Sequence, residues 1–363
     1  MPSPSLPAEA ALDLSTDVVG LTAAVCDIAS VSRSETRLAD AIEAALRPQD
    51  HLEVIRDGDA VIARTQLGRA ERVILAGHID TVPLTDPPNL PTRLEGEQLW
   101  GRGTVDMKGG VAVMLRLAAA LREPSRDVTY LFYESEEIEA EFNGLARLAR
   151  TSPELLAGDF AVLLEPTDGA IEGGCKGTLR FEVVTKGVAA HSARPWKGHN
   201  AIHDAATVLA RLTAYEAQTI TVDGLDYHEA LQAVGISGGI AGNVIPDRCT
   251  VTVNYRFAPD KTVEEALSHV HQVFEGHECV VVDQAEGARP GLHRPAAQEF
   301  VAALGVPLTA KEGWTDVARF SALGIPAVNF GPGDPNLAHM DDERCPVRQY
   351  ADAEAALLRW LAP

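Results

Sequence analysis

Cysteine, aromatic side chains and positive charge are all scarce in this chain of 363 residues. The five cysteines, Cys26, Cys175, Cys249, Cys279 and Cys345, form no CxxC pair. An odd, scattered set argues against a disulfide framework and for buried free thiols in a reducing compartment. Aromatic residues make up only 5% of a composition that is otherwise that of a soluble globular chain. Lys and Arg number 31 against 52 Asp and Glu, a formal charge of −21. That balance opposes nucleic acid and anionic membrane surfaces as general partners. No apolar run approaches the roughly 20 residues of a membrane helix. The opening "MPSPSLPAEAALDL" has no basic segment followed by an apolar stretch, so no export signal is expected. The expectation is a cytoplasmic protein, and the length favours two domains. An anionic substrate would need a site that reverses the acidic field locally, with metals or clustered Arg and Lys.

The pattern along the chain changes style twice. Residues 15–48 read as two helices, with Ser34 as N-cap of the second. From about 53 to 165, short apolar strands ("RVILAG", "DVTYLFY", "FAVLLE") alternate with helices ("GGVAVMLRLAAALRE", "NGLARLAR"). That alternation predicts an α/β domain with a mostly parallel sheet covered on both sides. Near residue 179 the strands begin to alternate apolar and polar, as in "LRFEVVTKG". The order becomes βαββαβ, that of a ferredoxin-like α+β sandwich. Residues 290–363 return to the first style, with "PAVNFG" as a strand. The predicted organisation is a discontinuous first domain, 1–178 and 290–363, with a smaller domain, 179–289, inserted in it.

Polar residues gather just beyond the apolar strands. His78 and Asp80, in "LAGHIDTVPL", share a face because alternate residues of a strand do. A strand end followed by a turn accounts for the pair on its own. So does a metal ligand with the carboxylate that fixes its tautomer. Asp106 lies in "GRGTVDMKGG", a loop with four glycines. The full GxGxxG spacing of a phosphate cradle is missing, and an acidic side chain there would repel phosphate. In "YESEEIEAEFNG", Glu136 and Glu137 directly follow a core strand, whereas Glu139 and Glu141 read as solvated. One of the adjacent pair can bind a metal while the other faces a water; spacing does not say which. Glu165 ends another buried strand, where an unpaired carboxylate is expensive. His339 follows a fourth strand across a glycine- and proline-rich turn.

In open α/β sheets, ligands gather at the carboxyl ends of strands. One sheet edge would thus carry two imidazoles and several carboxylates, a set that repels itself without cations. Nitrogen and oxygen donors without thiolate suit Zn²⁺, and also Co²⁺ or Mn²⁺. A two-metal site fits the count: one bridging carboxylate, and one His and one further Glu for each ion.

With these stretches assembled, the chain resembles the M20 family of co-catalytic metallopeptidases and deacylases. "GHIDTVP", "GRGTVDMKGG", "YESEEIEAEFNGL", "EPT" and "NLAH" carry the likeness, in that order. Within the family it is most similar to enzymes that remove succinate from N-succinyl-LL-2,6-diaminopimelate. The resemblance implies that His78, Asp106 and Glu165 hold one zinc and Asp106, Glu137 and His339 the other. It implies that Asp80 is the partner of His78 and Glu136 the general base. It further implies a cis peptide after Asp106, a homodimer formed through the small lid domain, and His191 acting at the other subunit's oxyanion. Asn243, Arg256, Lys176, Thr178 and Thr315 match substrate-binding positions.

Two departures stand out. "EGWTD", residues 312–316, replaces a glycine- and serine-rich stretch of relatives, and Lys176 stands where arginine is common. Lysine keeps the charge but loses bidentate carboxylate geometry. Acetylornithine deacetylase, aminoacylase and dipeptidase activities share the metal site and stay open on sequence. So does, more remotely, a two-domain solute-binding protein without chemistry.

Overall fold

Strand Arg72–His78 lies between Asp127–Tyr133 and Phe160–Leu163 and runs parallel to both. Ala327–Asn329 is parallel to Phe160–Leu163 on its other side. These four apolar segments form the middle of an eight-stranded sheet. They are buried on both faces, which is why they read as continuous apolar runs rather than alternating ones. Antiparallel strands extend the sheet, Glu53–Asp57 and Ala60–Arg64 on one side and Ile171–Gly173 on the other. The fold is therefore α/β with a mostly parallel centre. The structure is a computed structural model that describes residues 11–363. The first ten residues, which include most of the segment read for an export signal, lie outside the described residues.

The parallel register brings strand ends level. His78 pairs with Tyr133, Ala76 with Leu163, and Leu163 with Asn329. Glu165 therefore follows Leu163 by the same two residues that separate His78 from Ala76. Helices Val18–Asp27, Lys108–Ala120 and Val347–Leu361 pack on one another. Their buried faces join the sheet in one core that includes Val111, Leu115, Phe132, Val162 and Leu357.

Asp17 caps the first helix, accepting the N–H groups of Val19 and Gly20 at 3.0 Å. The expected cap at Ser34 is not found. The second helix spans Thr36–Leu46, Glu35 takes the N-cap position, and no side chain caps it. Ser34 instead closes a turn through its N–H to the carbonyl of Val31, 2.8 Å. The Glu35 carboxylate is buried and accepts the hydroxyl of Ser135.

The chain divides into two units: residues 11–173, Gly291–Thr309 and Arg319–Pro363 form one, and Gly174–Pro290 with Ala310–Ala318 the other. The second holds a four-stranded antiparallel sheet in the order Ala230–Gly238, Arg248–Phe257, Gly177–Lys186, Glu278–Ala285. Helices Ala201–Thr213 and Val263–Val273 pack on it, which is the βαββαβ arrangement. Cys249, Val251, Val253, Tyr255 and Phe257 alternate inward along the central strand. Two corrections concern residues 174–178 and 310–318, both assigned above to the first domain. They belong to the second unit, where Trp314 donates its indole N–H to the Glu286 carbonyl at 3.0 Å.

Gly110 shows how closely the first unit is packed beneath the strand ends. A Cβ there would lie 2.2 Å from the Leu164 carbonyl oxygen, the residue before Glu165. Backbone cannot yield as a flexible side chain does, so Gly110→Ala should cost about 1–3 kcal/mol. A thermal melt of the variant, lower than the parent by several degrees, checks this.

Candidate metal centre

Asp80 is fully buried. Its Oδ1 accepts the Glu136 N–H at 3.0 Å and its Oδ2 the Glu137 N–H at 3.1 Å. Ser32 adds a hydroxyl to Oδ2 at 2.7 Å. Oδ1 also lies 3.3 Å from His78 Nδ1. One side chain thus orients the imidazole and fixes the adjacent glutamates of the loop that follows strand Asp127–Tyr133. Burial opposes ionisation of Asp80, but His78 and these donors outweigh it and hold the carboxyl below its ordinary range. Ser135, immediately before Glu136, adopts φ 59° and is tied to buried Glu35 at 2.8 Å.

Turned by Asp80, His78 aims its Nε2 at Asp106 Oδ1, 3.2 Å away. The other oxygen of Asp106 lies 3.3 Å from His339 Nε2. His339 Nε2 is also 2.9 Å from Glu137 Oε2. Two triads result, His78–Asp106–Glu165 and Asp106–Glu137–His339, with donor atoms in each within 4.8 Å of one another. Asp106 belongs to both, and the peptide after it, Asp106–Met107, is cis. All five proposed ligands are therefore brought together at one sheet edge.

Like-charged groups this close need positive charge between them. Without a cation the imidazoles supply it. Burial opposes protonation of His78, yet Asp106 and Asp80 hold its pKa well above the ordinary value. Hydrogen bonds to Asp106 and Glu137 lift His339 to about 10. Asp106 is pushed down by the same two imidazoles, against its burial. Lys108, buried at the start of the next helix, donates to the Ile28 carbonyl at 2.9 Å, and burial lowers its ammonium to about 8. The donor set is nitrogen and oxygen only, with one carboxylate offering an oxygen to each side. It fits divalent cations of the Zn²⁺, Co²⁺ or Mn²⁺ kind.

Ser32, Glu35, Arg102 and Glu343 were not singled out in the sequence. Arg102 and Glu343 form a buried ion pair at 2.8 Å behind the Asp106 loop. The only hint was composition: an arginine inside the Asp106 motif and an acid in the segment after His339.

The remaining predicted residues lie in the second unit. His191 is exposed; it pairs with Val244 across a short ladder, and its Nδ1 accepts the Ala193 N–H at 3.1 Å. Exposed Asn243, next to Val244, gives its carbonyl to Ser192 at 2.9 Å. Thr178 and Arg256 face each other in register, with Arg256 half-buried. Thr315 is buried, its carbonyl 3.7 Å from Cys175 Sγ. Lys176 is 6% exposed and not a solvated surface charge. It pairs with Glu312, which also meets His228 Nδ1 at 2.8 Å. The glutamate of the divergent loop thus neutralises the lysine that replaces arginine.

A mostly parallel sheet with this donor cluster at its carboxyl edge defines a metal-dependent α/β hydrolase. The chain belongs to peptidase family M20/M25/M40, whose model matches residues 74–362. It is 55% identical over 353 residues to the DapE protein of Mycobacterium tuberculosis strain H37Rv, covering 96% of this chain and 99% of that one. It is 47% identical over 362 residues to a succinyl-diaminopimelate desuccinylase of Corynebacterium glutamicum, covering 97% and 98%. Among solved structures, a tripeptidase of Staphylococcus aureus superposes with a TM-score of 0.78 at 19% identity, over 97% of this chain and 98% of that one.

The raised imidazole pKa values make metal loading a proton exchange. A histidine whose pKa rises on folding stabilises the fold fully below its unfolded value, and that contribution fades as pH climbs through the folded value. For His339 the window runs from 6.5 to about 10. Metal-stripped protein should therefore melt lower at pH 10 than at pH 6.5, and His339→Ala should narrow the difference. Zinc affinity, measured by chelator competition, should rise over the same range.

Proposed function

We propose that the chain hydrolyses N-succinyl-LL-2,6-diaminopimelate to succinate and LL-2,6-diaminopimelate, in the cytoplasm, as a homodimer carrying two Zn²⁺ per subunit. The observation that carries the reading is 47% identity, nearly end to end, with the Corynebacterium glutamicum desuccinylase. The two triads that share Asp106 support the metal count. In this reading His78, Asp106 and Glu165 hold one ion and Asp106, Glu137 and His339 the other. What bound dications supply is polarisation of the amide carbonyl and a water acidic enough to ionise near neutrality.

The rest is done by the chain's own side chains. Glu136 takes the proton of the attacking water and returns it to the departing amine. Asp80 fixes Glu136 through its backbone N–H, so the base and the ligand Glu137 move together. His191, from the partner copy's small domain, donates a hydrogen bond to the developing oxyanion. Arg256, Thr178, Asn243, Thr315 and Lys176 bind the substrate, whose three carboxylates call for such donors. A carboxylate that reaches Lys176 displaces Glu312. The inserted domain is the lid and the dimerisation element. Its edge strand, Ala230–Gly238, leaves Val234 and Ile236 59% and 55% exposed, with Ile240 close by at 86%. Apolar side chains on an unpaired sheet edge favour pairing with a second copy.

Release of succinate, rather than acetate or a free amino acid, from a panel of N-acyl amino acids and dipeptides tests the substrate assignment. Faster release from an acetyl or dipeptide substrate would replace it with another activity of the family. Glu136→Gln should keep its full metal content and lose about 10²-fold or more in turnover; near-parent activity at full loading rejects Glu136 as the base. Val234→Lys with Ile236→Lys should shift the mass seen by light scattering from twice 38.7 kDa to 38.7 kDa. Because His191 acts across the pair, activity should fall with the dimer.

A further inference from the structure

The loop that carries His339 is fastened to the loop that carries Asp106 through one buried carboxylate. Glu343, four residues beyond His339, is 1% exposed. Its Oε1 accepts the backbone N–H of Val105 at 2.9 Å and that of Asp106 at 3.2 Å. Its Oε2 accepts an N–H of Arg102 at 2.8 Å. Arg102, 4% exposed, donates also to the carbonyl of Met340, the neighbour of His339, at 3.2 Å. The Glu343 carbonyl in turn accepts the Gly101 N–H at 3.0 Å. Segments 101–106 and 339–343 therefore hold each other at both ends, and each carries a ligand of the second triad.

Stability alone does not account for this arrangement. A buried ion pair is often no better for the fold than a packed apolar pair of the same volume. What an apolar pair lacks is an acceptor for the two amides that fix the peptide of Asp106. The other ligand of the triad, Glu137, is held separately, by Asp80. We infer that Glu343 is a positioning residue that sets Asp106 and His339 together and so governs the affinity of the metal position formed by Asp106, Glu137 and His339. The inference rests on the dinuclear reading above. Loss of Glu343 disturbs two ligands of that position but only one, Asp106, of the position formed with His78 and Glu165.

Two double variants separate positioning from simple stabilisation. Arg102→Met with Glu343→Gln removes the ion pair but keeps an acceptor oxygen for Val105 and Asp106. Arg102→Met with Glu343→Leu removes both. Metal-stripped full-length protein is titrated with zinc against a chromophoric chelator, and the two stepwise affinities are read. Groups that hold a ligand in place contribute about 10–100-fold to metal affinity. The leucine variant should lose that factor in one step, with a smaller loss in the other, and the glutamine variant should recover most of it. Parent-like affinities in the leucine variant, or equal losses in both variants, overturn the inference. Should the leucine variant not fold, Glu343→Asp decides on the same readout. Its shorter arm cannot span Arg102 and both amides, so an equal fall in the two steps rejects positioning. The parent is titrated first: a parent that binds a single ion sinks the dinuclear reading itself. A parent that binds two, with unaltered variants, sinks only this inference.

Discussion

Asp106 offers one oxygen to His78 and the other to His339, and the rest of the site is arranged around that shared carboxylate. Electrostatics makes it the pivot. Asp106, Glu137 and Glu165 stand close enough that their charges demand compensation, and the two imidazoles meet different oxygens of Asp106. In the metal-stripped protein protons on the imidazoles provide that compensation, which is why both histidines hold them so far above their ordinary range. Dications do the same work with more charge and with Lewis acidity. The cluster is therefore a charge trap that protons and metals contest.

Each ligand owes its place to an element chosen for other reasons. His78 and Glu165 stand at the ends of neighbouring parallel strands, and their common level follows from the register. Glu137 depends on a loop that is strained at Ser135 and held by Asp80. The sheet contributes height, Asp80 contributes orientation, and the glycine at 110 allows the next helix to press against the Glu165 strand. The acidic net charge of −21 does not interfere, because the field that matters is set within a few ångströms.

Much of this was legible in the chain itself, for a physical reason. Residues two apart on a strand share a face, and buried parallel strands are apolar throughout, so a polar residue just past one is conspicuous. His78, Glu165 and the glutamates after Tyr133 all announced themselves in that way. The inserted domain was visible because its strands alternate, as Arg248–Phe257 does. What stayed hidden has no period. Glu343 binds amides 237 and 238 residues earlier in the chain, and no local pattern encodes such a contact. Ser34 looked like a helix cap because serine favours that position, but the helix starts after Glu35, whose carboxylate a distant serine occupies. Residues 174–178 and 310–318 sit next in sequence to stretches of the first domain and join the second by contacts that no local pattern expresses.

That last segment bears on how such a protein could be cut and recombined. A chimera that exchanged only 174–290 for the equivalent region of a relative would import a Lys176 position without its Glu312, a Cys175 position without the Thr315 carbonyl, and a Glu286 carbonyl without the Trp314 indole. The natural module is two pieces of chain separated by a stretch that folds elsewhere. Any graft that respects its cohesion has to carry both fragments at once.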